Sequence, residues 1–246
     1  MILSSDPKIQ AFEVDCMEFM RDKPDKFWDL AIVDPPYGIG QPKQSNLKGY
    51  NGRASLDERL AKNRLNNGCG KLKNRILNQS NCQWDNEIPT IEYFNELFRV
   101  SKNQIIWGGN YFPLPPSRCI ICWDKVQPWE NFSQIELAWT SFDSPAQIYK
   151  FDNRTGNKIH PTEKPVKLYE WILNKYAKPG FKILDIHGGG MNHAIACYNL
   201  VFDLDICEMD ADYFQDATDR VKAHIAKPKG LFTYRETMRM EPNKLF

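Results

Sequence analysis

The chain has 246 residues, 42% of them hydrophobic and 26% charged, enough to bury a full core and most simply to form one α/β-sized domain with an insertion. Its 32 Lys and Arg against 31 Asp and Glu leave a net charge of +1. That excludes the strongly basic profile of a nucleic-acid coating protein while allowing a local basic patch. A mean hydropathy of −0.55 without an apolar run of about eighteen residues argues against a membrane span. The opening MILSSDPKIQ lacks the basic and apolar regions of a signal peptide, so a cytoplasmic protein is expected.

In chain order, KIQAFEVDC reads as a short strand ending at Asp15, and CMEFMRD as a helix. FWDLAIV is a buried strand that stops at Asp34-Pro35-Pro36-Tyr37. Two successive prolines cannot continue a central ladder, so the acid and the aromatic lie just past a strand end. From Gly38 to about Pro89 the periodicity fails over a stretch rich in Asn, Gly, Lys and Arg, too long for an ordinary connection and read as an insertion. A helix is predicted over 90–101, with Tyr93, Phe94, Leu97 and Phe98 on one face, then strands at 103–107, 118–123, 134–140 and 146–150.

Past the polar DNRTGNK and the string HPTEKP, a helix is predicted over 166–177, stopped by Pro179-Gly180. The strand FKILDI, the turn GGG, the helix HAIACYNL and the strand FDLDIC, ending at Glu208, follow. A helix over 211–226 comes last. The chain thus divides into one domain over 1–228, with the insertion at about 38–89, and a polar tail over 229–246. Strand, turn, helix and strand at this spacing make a βαβ unit, so the fold class is α/β with a parallel sheet.

Seven scattered cysteines give no disulfide framework. Cys119 and Cys122 form a CxxC inside RCIICW, where alternation sends the two sulfurs to opposite faces, which favours a core strand over a metal or redox site. His160, His187, His193 and His224 show no zinc spacing, and no metal is expected.

Two constellations carry chemistry. Over 181–208 a Gly-rich turn between strand and helix lets a ligand approach the backbone. Glu208, 23 residues after Asp185, stands where a carboxylate accepts hydrogen bonds from ribose hydroxyls. A nucleoside-bearing cofactor fits there, NAD or S-adenosylmethionine; a plain turn with an exposed acid is the alternative. The second constellation is Asp34 to Tyr37. The lone pair of a nucleobase amine is delocalised into its ring. A carboxylate and a proline-fixed backbone carbonyl that accept its two N–H bonds return electron density to the nitrogen. Tyr37 offers a ring face to an extruded base.

DPPYG, HPTEKP and LDIHGGG in that order, with QWDNEIP, IIWGGNYF, WDK and ELAWTSF, resemble the amino-group DNA methyltransferases that use S-adenosylmethionine. The arrangement is similar to the circularly permuted β class, of the phage or prophage type, and spans about Asp15 to His224. The resemblance implies a Rossmann-like methyltransferase fold, a mostly parallel sheet with helices on both faces. It implies that Asp34, Pro35, Pro36 and Tyr37 hold, polarise and stack the target base. Asp185, His187 and Gly189 would line the methionine moiety, Glu208 would bind the ribose, and Asp15 would lie near the cofactor adenine. Thr162 and Lys164 would close over the other side of the cofactor pocket. Read as residues alone, Asp15 is equally an N-cap for CMEFM, and Lys164 a solvated charge at a helix start.

An aspartate heading the tetrad tilts the resemblance toward N6 of adenine over N4 of cytosine. Double-stranded DNA is the implied substrate, and a cognate restriction enzyme is a partner the resemblance admits. The chain departs from the family's Phe-x-Gly-x-Gly turn: His187 stands for the aromatic and Met191 for the second glycine. A long side chain at a close backbone approach works against cofactor binding, while Gly188 and Gly190 add freedom. A non-catalytic DNA-binding protein on the same scaffold is therefore a second expectation. A dinucleotide-dependent oxidoreductase explains 181–208 but leaves DPPY idle.

Residues 41–80 hold nine Lys and Arg against two acids, a charge of +7 that leaves −6 for the rest of the chain. Lys43, Lys48, Arg53, Lys62, Arg64, Lys71, Lys73 and Arg75 are candidate phosphate contacts, with interleaved Asn able to read base edges. An acidic body carrying one basic segment would confine DNA to the face beside Asp34.

Overall fold

The computed structural model describes residues 1–38, 87–127, 133–152 and 163–227. The insertion over 39–86 with its eight candidate DNA contacts, Thr162, and the tail from 228 onward lie outside the described residues. The described elements begin with β1 (Ile2–Ser5), β2 (Lys8–Glu13), α1 (Cys16–Arg21) and β3 (Trp28–Val33). Next come α2 (Ile91–Val100), β4 (Ser101–Trp107), a 3-10 turn over Gly109–Tyr111, β5 (Ile120–Asp124), β6 (Ile135–Thr140) and β7 (Gln147–Lys150). The series ends with α3 (Val166–Tyr176), β8 (Lys182–Asp185), α4 (Asn192–Leu200), β9 (Asp203–Glu208) and α5 (Ala211–Ile225).

The strands form one sheet in the order β1-β2-β9-β8-β3-β4-β6-β5-β7. Its centre, from β2 to β4, is parallel, and β1 and β6 add antiparallel neighbours on either side. β5 pairs antiparallel with β6 and parallel with β7. The predicted elements are present within a few residues. β1 has no counterpart in the sequence reading: a four-residue edge strand with its ends exposed offers too little alternation to be read.

β3 shows why the sheet is covered on both sides. Its run WDLAIV points Leu30 and Ile32 into a cluster with α3, α4 and α5, and Ala31 and Val33 into a second cluster with α1 and α2. Such unbroken apolar strands are the signature of a parallel sheet between two helical layers. α2 buries Tyr93, Phe94, Leu97 and Val100, a helical stripe; Phe98, expected on that face, is half-buried at its margin with its ring centroid 5.8 Å from that of Trp139. α4 is buried through Tyr198, wedged between the sheet, α3 and α5. Cys119 is buried with Ile121 and Trp123, whereas Cys122 is half-buried and both thiols are free. The CxxC is a strand, with its sulfurs on different faces.

One topological feature places the site. β8 is followed in sequence by β9 on one side of it, and β3 by β4 on the other, while β8 and β3 are themselves neighbours. Connections therefore diverge between them, opening a crevice at the carboxyl ends of these two strands, where parallel α/β sheets bind ligands. Ala31 pairs with Leu184, so Asp34 and His187 leave the sheet at the same level.

Candidate active site

Asp34 follows β3, where Pro35 and Pro36 end the ladder. One carboxylate oxygen, Oδ1, accepts the Tyr37 hydroxyl at 2.6 Å, and Oδ2 accepts the Lys164 ammonium. Glu136, at the start of β6, accepts from the Tyr37 hydroxyl at 2.7 Å and pairs with Lys164 at 2.8 Å through the same Oε1. Its other oxygen pairs with Lys125 at 2.8 Å. Two carboxylates and the Lys164 ammonium thus surround a neutral phenol, with the Lys164 side chain only 1% exposed. Because β6 runs antiparallel to β4, its first residues lie at the crevice end of the sheet.

Burial raises the Asp34 carboxyl above the ordinary aspartate value, with Lys164 opposing and Glu136 adding to the rise. Burial alone would raise Glu136 too, but the ammonium groups of Lys164 and Lys125 overcome it and hold Glu136 at about 2. Burial disfavours the charged form of Lys164, yet its two carboxylate partners more than compensate and keep it protonated. Burial, then Asp34 and Glu136, push Tyr37 well up, so it is a neutral donor.

The Tyr37 ring lies against Gly108, where a Cβ would come within 2.3 Å of Cε1 and 2.8 Å of Cζ. Gly108 has φ +70, so the glycine serves both the left-handed backbone and the close approach. Tyr111 stacks on Tyr37 with centroids 5.1 Å apart and planes 16° apart, and is itself 42% exposed. One face of the Tyr37 ring is thus covered by a surface tyrosine.

On the cofactor side, Glu208 ends β9 and takes one backbone N–H on each oxygen: Gly189 at 2.7 Å and Asp210 at 2.9 Å. Burial raises its carboxyl above the ordinary value. Each oxygen keeps a lone pair for a hydroxyl, so Glu208 and the Gly189 turn fit a ribose. The glycines beside it answer to the fold itself. A Cβ at Gly188 would meet the Cys207 carbonyl at 3.1 Å, and one at Gly190 the Glu163 carboxylate at 2.5 Å. Glu163 is held there by Arg220 at 3.0 Å and Asn192 at 2.6 Å. Asn192 also donates to the Lys164 carbonyl at 2.7 Å. This clamp lays residues 163–165 over the turn and aims Lys164 inward.

Several predicted site residues also have contacts within the protein. Asp185 is buried: its Oδ1 accepts the His187 N–H at 3.0 Å and its Oδ2 lies 3.0 Å from the His193 ring nitrogen, so the carboxylate organises the turn from within. His193 is buried and stacked on Tyr169 at 4.5 Å. His187 lies with its Nδ1 3.5 Å from the Tyr93 hydroxyl, and burial lowers it to about 4, so the ring is neutral at pH 7. Asp15 caps α1, accepting from Met17 and Glu18 at 2.9 and 3.1 Å. Lys164, grouped by sequence with the cofactor, has its ammonium on Asp34 and Glu136.

The Met191 side chain points away from the turn. It is fully buried in the core cluster below α4, and its φ of +51 shows the left-handed backbone for which glycine is the usual choice. The sequence does not single out Glu136: alternation along ELAWT puts it with Ala138 and Thr140 on the more polar face of β6, and only the structure shows both of those neighbours fully buried.

No protein-family model matches the chain. The sheet and its two helical layers are the Rossmann-like fold of the S-adenosylmethionine-dependent methyltransferases, α/β with a mostly parallel mixed sheet. Among solved structures, the PvuII DNA methyltransferase (cytosine-N4-specific) is similar with a TM-score of 0.53 and 12% identity, over 93% of this chain and 90% of that one. TTHA0409 of Thermus thermophilus, assigned as a DNA modification methylase, is similar with a TM-score of 0.52 and 16% identity, over 89% and 96% of the two chains. Its complex with S-adenosyl-L-methionine is similar with a TM-score of 0.50 and 15% identity, over 89% and 95%. No helix among the described residues is long and apolar enough to cross a membrane.

Proposed function

We propose that the chain is an S-adenosylmethionine-dependent DNA methyltransferase that modifies the exocyclic N6 of adenine after base extrusion. The observation that carries this is the shared crevice. Asp34 with Tyr37 leaves β3, and the turn held by Glu208 leaves the neighbouring β8, so an amine-gripping carboxylate and a nucleoside site open together. The tetrad precedes the turn in the chain, which supports the permuted β-class arrangement.

Bound S-adenosylmethionine supplies an activated methyl group. Glu208 would hold its ribose, with the Gly189 turn and Asp15 beside it. Asp34 accepts an N–H of the target amine, and the Pro35 carbonyl the other, which localises the nitrogen lone pair. With Lys164 bonded to it, Asp34 serves as an acceptor and not as a strong base, and the amine proton leaves after transfer. A base that stacks on the face of Tyr37 covered by Tyr111 would displace that tyrosine. The basic insertion supplies the phosphate contacts.

Adenine is favoured by the aspartate that heads the tetrad. Incubation of duplex DNA with methyl-labelled S-adenosylmethionine, followed by hydrolysis and chromatography, tests this reading. N6-methyladenine is the expected product. N4-methylcytosine would correct the base, and no cofactor binding by calorimetry at millimolar concentration would remove the enzyme.

A further inference from the structure

We infer that Glu136 is a positioning residue: it holds the Tyr37 hydroxyl and the Lys164 ammonium, and through them keeps Asp34 open to the amine. The inference rests on the methyltransferase reading. A carboxylate offers about four lone-pair sites, and Asp34 has two donors beside it, on different oxygens. Glu136 competes for both: Tyr37 has a single O–H within reach of two carboxylates, at 2.6 and 2.7 Å. Lys164 is likewise shared, 2.8 Å from Glu136. Without Glu136 both donors are left to Asp34 alone, which binds them more tightly and becomes a weaker acceptor for the target amine.

Glu136 is placed for this by its strand and by a second anchor. β6 carries it to the crevice end of the sheet, and Lys125, just past β5, holds its other oxygen at 2.8 Å with both side chains 17% exposed. The antiparallel extension of the sheet thereby delivers a second carboxylate to a site otherwise built from parallel strands. Among the described residues, the charged and titratable groups facing Asp34 are Lys164, Glu136 and Tyr37, with the phenols of Tyr93 from α2 and Tyr169 from α3 further off.

Glu136→Gln keeps the shape and removes the charge. Calorimetry with S-adenosylmethionine should give an affinity within about twofold of wild type, because Glu136 does not contact the Gly189 turn, while methyl transfer at saturating cofactor falls by about tenfold or more. The Asp34 carboxyl, identified in 13C NMR spectra by its loss in Asp34→Asn, should titrate at lower pH, since a neighbouring negative charge is gone. Lys125→Met, which removes a positive charge from the same chain of contacts, should move that midpoint the opposite way, and serves if Glu136→Gln does not fold. An unmoved Asp34 midpoint in the folded variant, with or without a fall in rate, overturns the inference. If wild type transfers no methyl to DNA, the methyltransferase reading falls, and the two Asp34 titrations then decide the role of Glu136 by themselves.

Discussion

Lys164→Met preserves the length and bulk of a buried side chain and removes its charge. The ammonium lies 2.8 Å from Glu136 and is bonded to Asp34, with the side chain 1% exposed. At an effective dielectric constant of about 20, one such pair carries roughly 6 kcal/mol of attraction. Desolvation of the three charges offsets most of this, and removal of one partner of a buried pair costs about 3–5 kcal/mol in practice. Asp34, left without its ammonium partner while Glu136 keeps Lys125, recovers part of the loss by protonation, a tenfold gain in proton affinity being worth about 1.4 kcal/mol. Asp34, already raised by burial and by Glu136, is the first to take up a proton, which moves the acid limb of methyl transfer to higher pH, by about one pH unit or more. Urea unfolding at about pH 7.5 should show a loss of about 3 kcal/mol, and activity should recover as pH is raised from about 6 to about 9. Wild-type stability together with an unmoved acid limb would refute the buried network.

Tyr111→Ala should lower the KM for DNA by about two- to tenfold with kcat unchanged, since a stacked aromatic pair contributes about 0.5–1.5 kcal/mol that the base must otherwise displace; a fall in kcat would show that Tyr111 itself grips the base. Gly108→Ala drives a Cβ to 2.3 Å from the Tyr37 ring at a φ of +70, so methyl transfer should collapse while circular dichroism still reports a folded chain; wild-type activity would contradict the packing. His187 is held at about 4, below the ordinary histidine value. Between pH 6.5 and 4 the unfolded chain therefore takes up a proton that the folded chain does not, and stability falls with pH across that window, by at most about 3 kcal/mol. His187→Phe should remove this part of the slope in urea titrations at about pH 7 and about pH 4.5, and an identical slope would show His187 to be solvated.

The elements of the parallel sheet were legible because burial on both faces leaves runs such as WDLAIV and FKILDI, bounded by prolines and glycines. The site was legible where chemistry sits beside a strand end in the sequence, as at Asp34 and Glu208. Contacts that depend on distant segments meeting were not. Lys164 reaches Asp34 across 130 positions of sequence, and nothing local to HPTEKP says that its lysine turns inward. Asp185 stands out because it ends a strand; only the fold reveals His193, eight residues on, closing against it. A missing glycine at Met191 suggests a filled space; the side chain itself turns into the core, and its backbone takes the left-handed conformation. Tyr111 on Tyr37 required the turn after β4, which no periodicity announces.

Transfer of labelled methyl from S-adenosylmethionine to duplex DNA by wild type and Asp34→Ala is the most direct test of Asp34 as the group that grips the amine. Wild type should label the DNA. Asp34→Ala, folded and binding the cofactor with wild-type affinity, should label it at least about a hundredfold more slowly. Equal rates for the two proteins would contradict it.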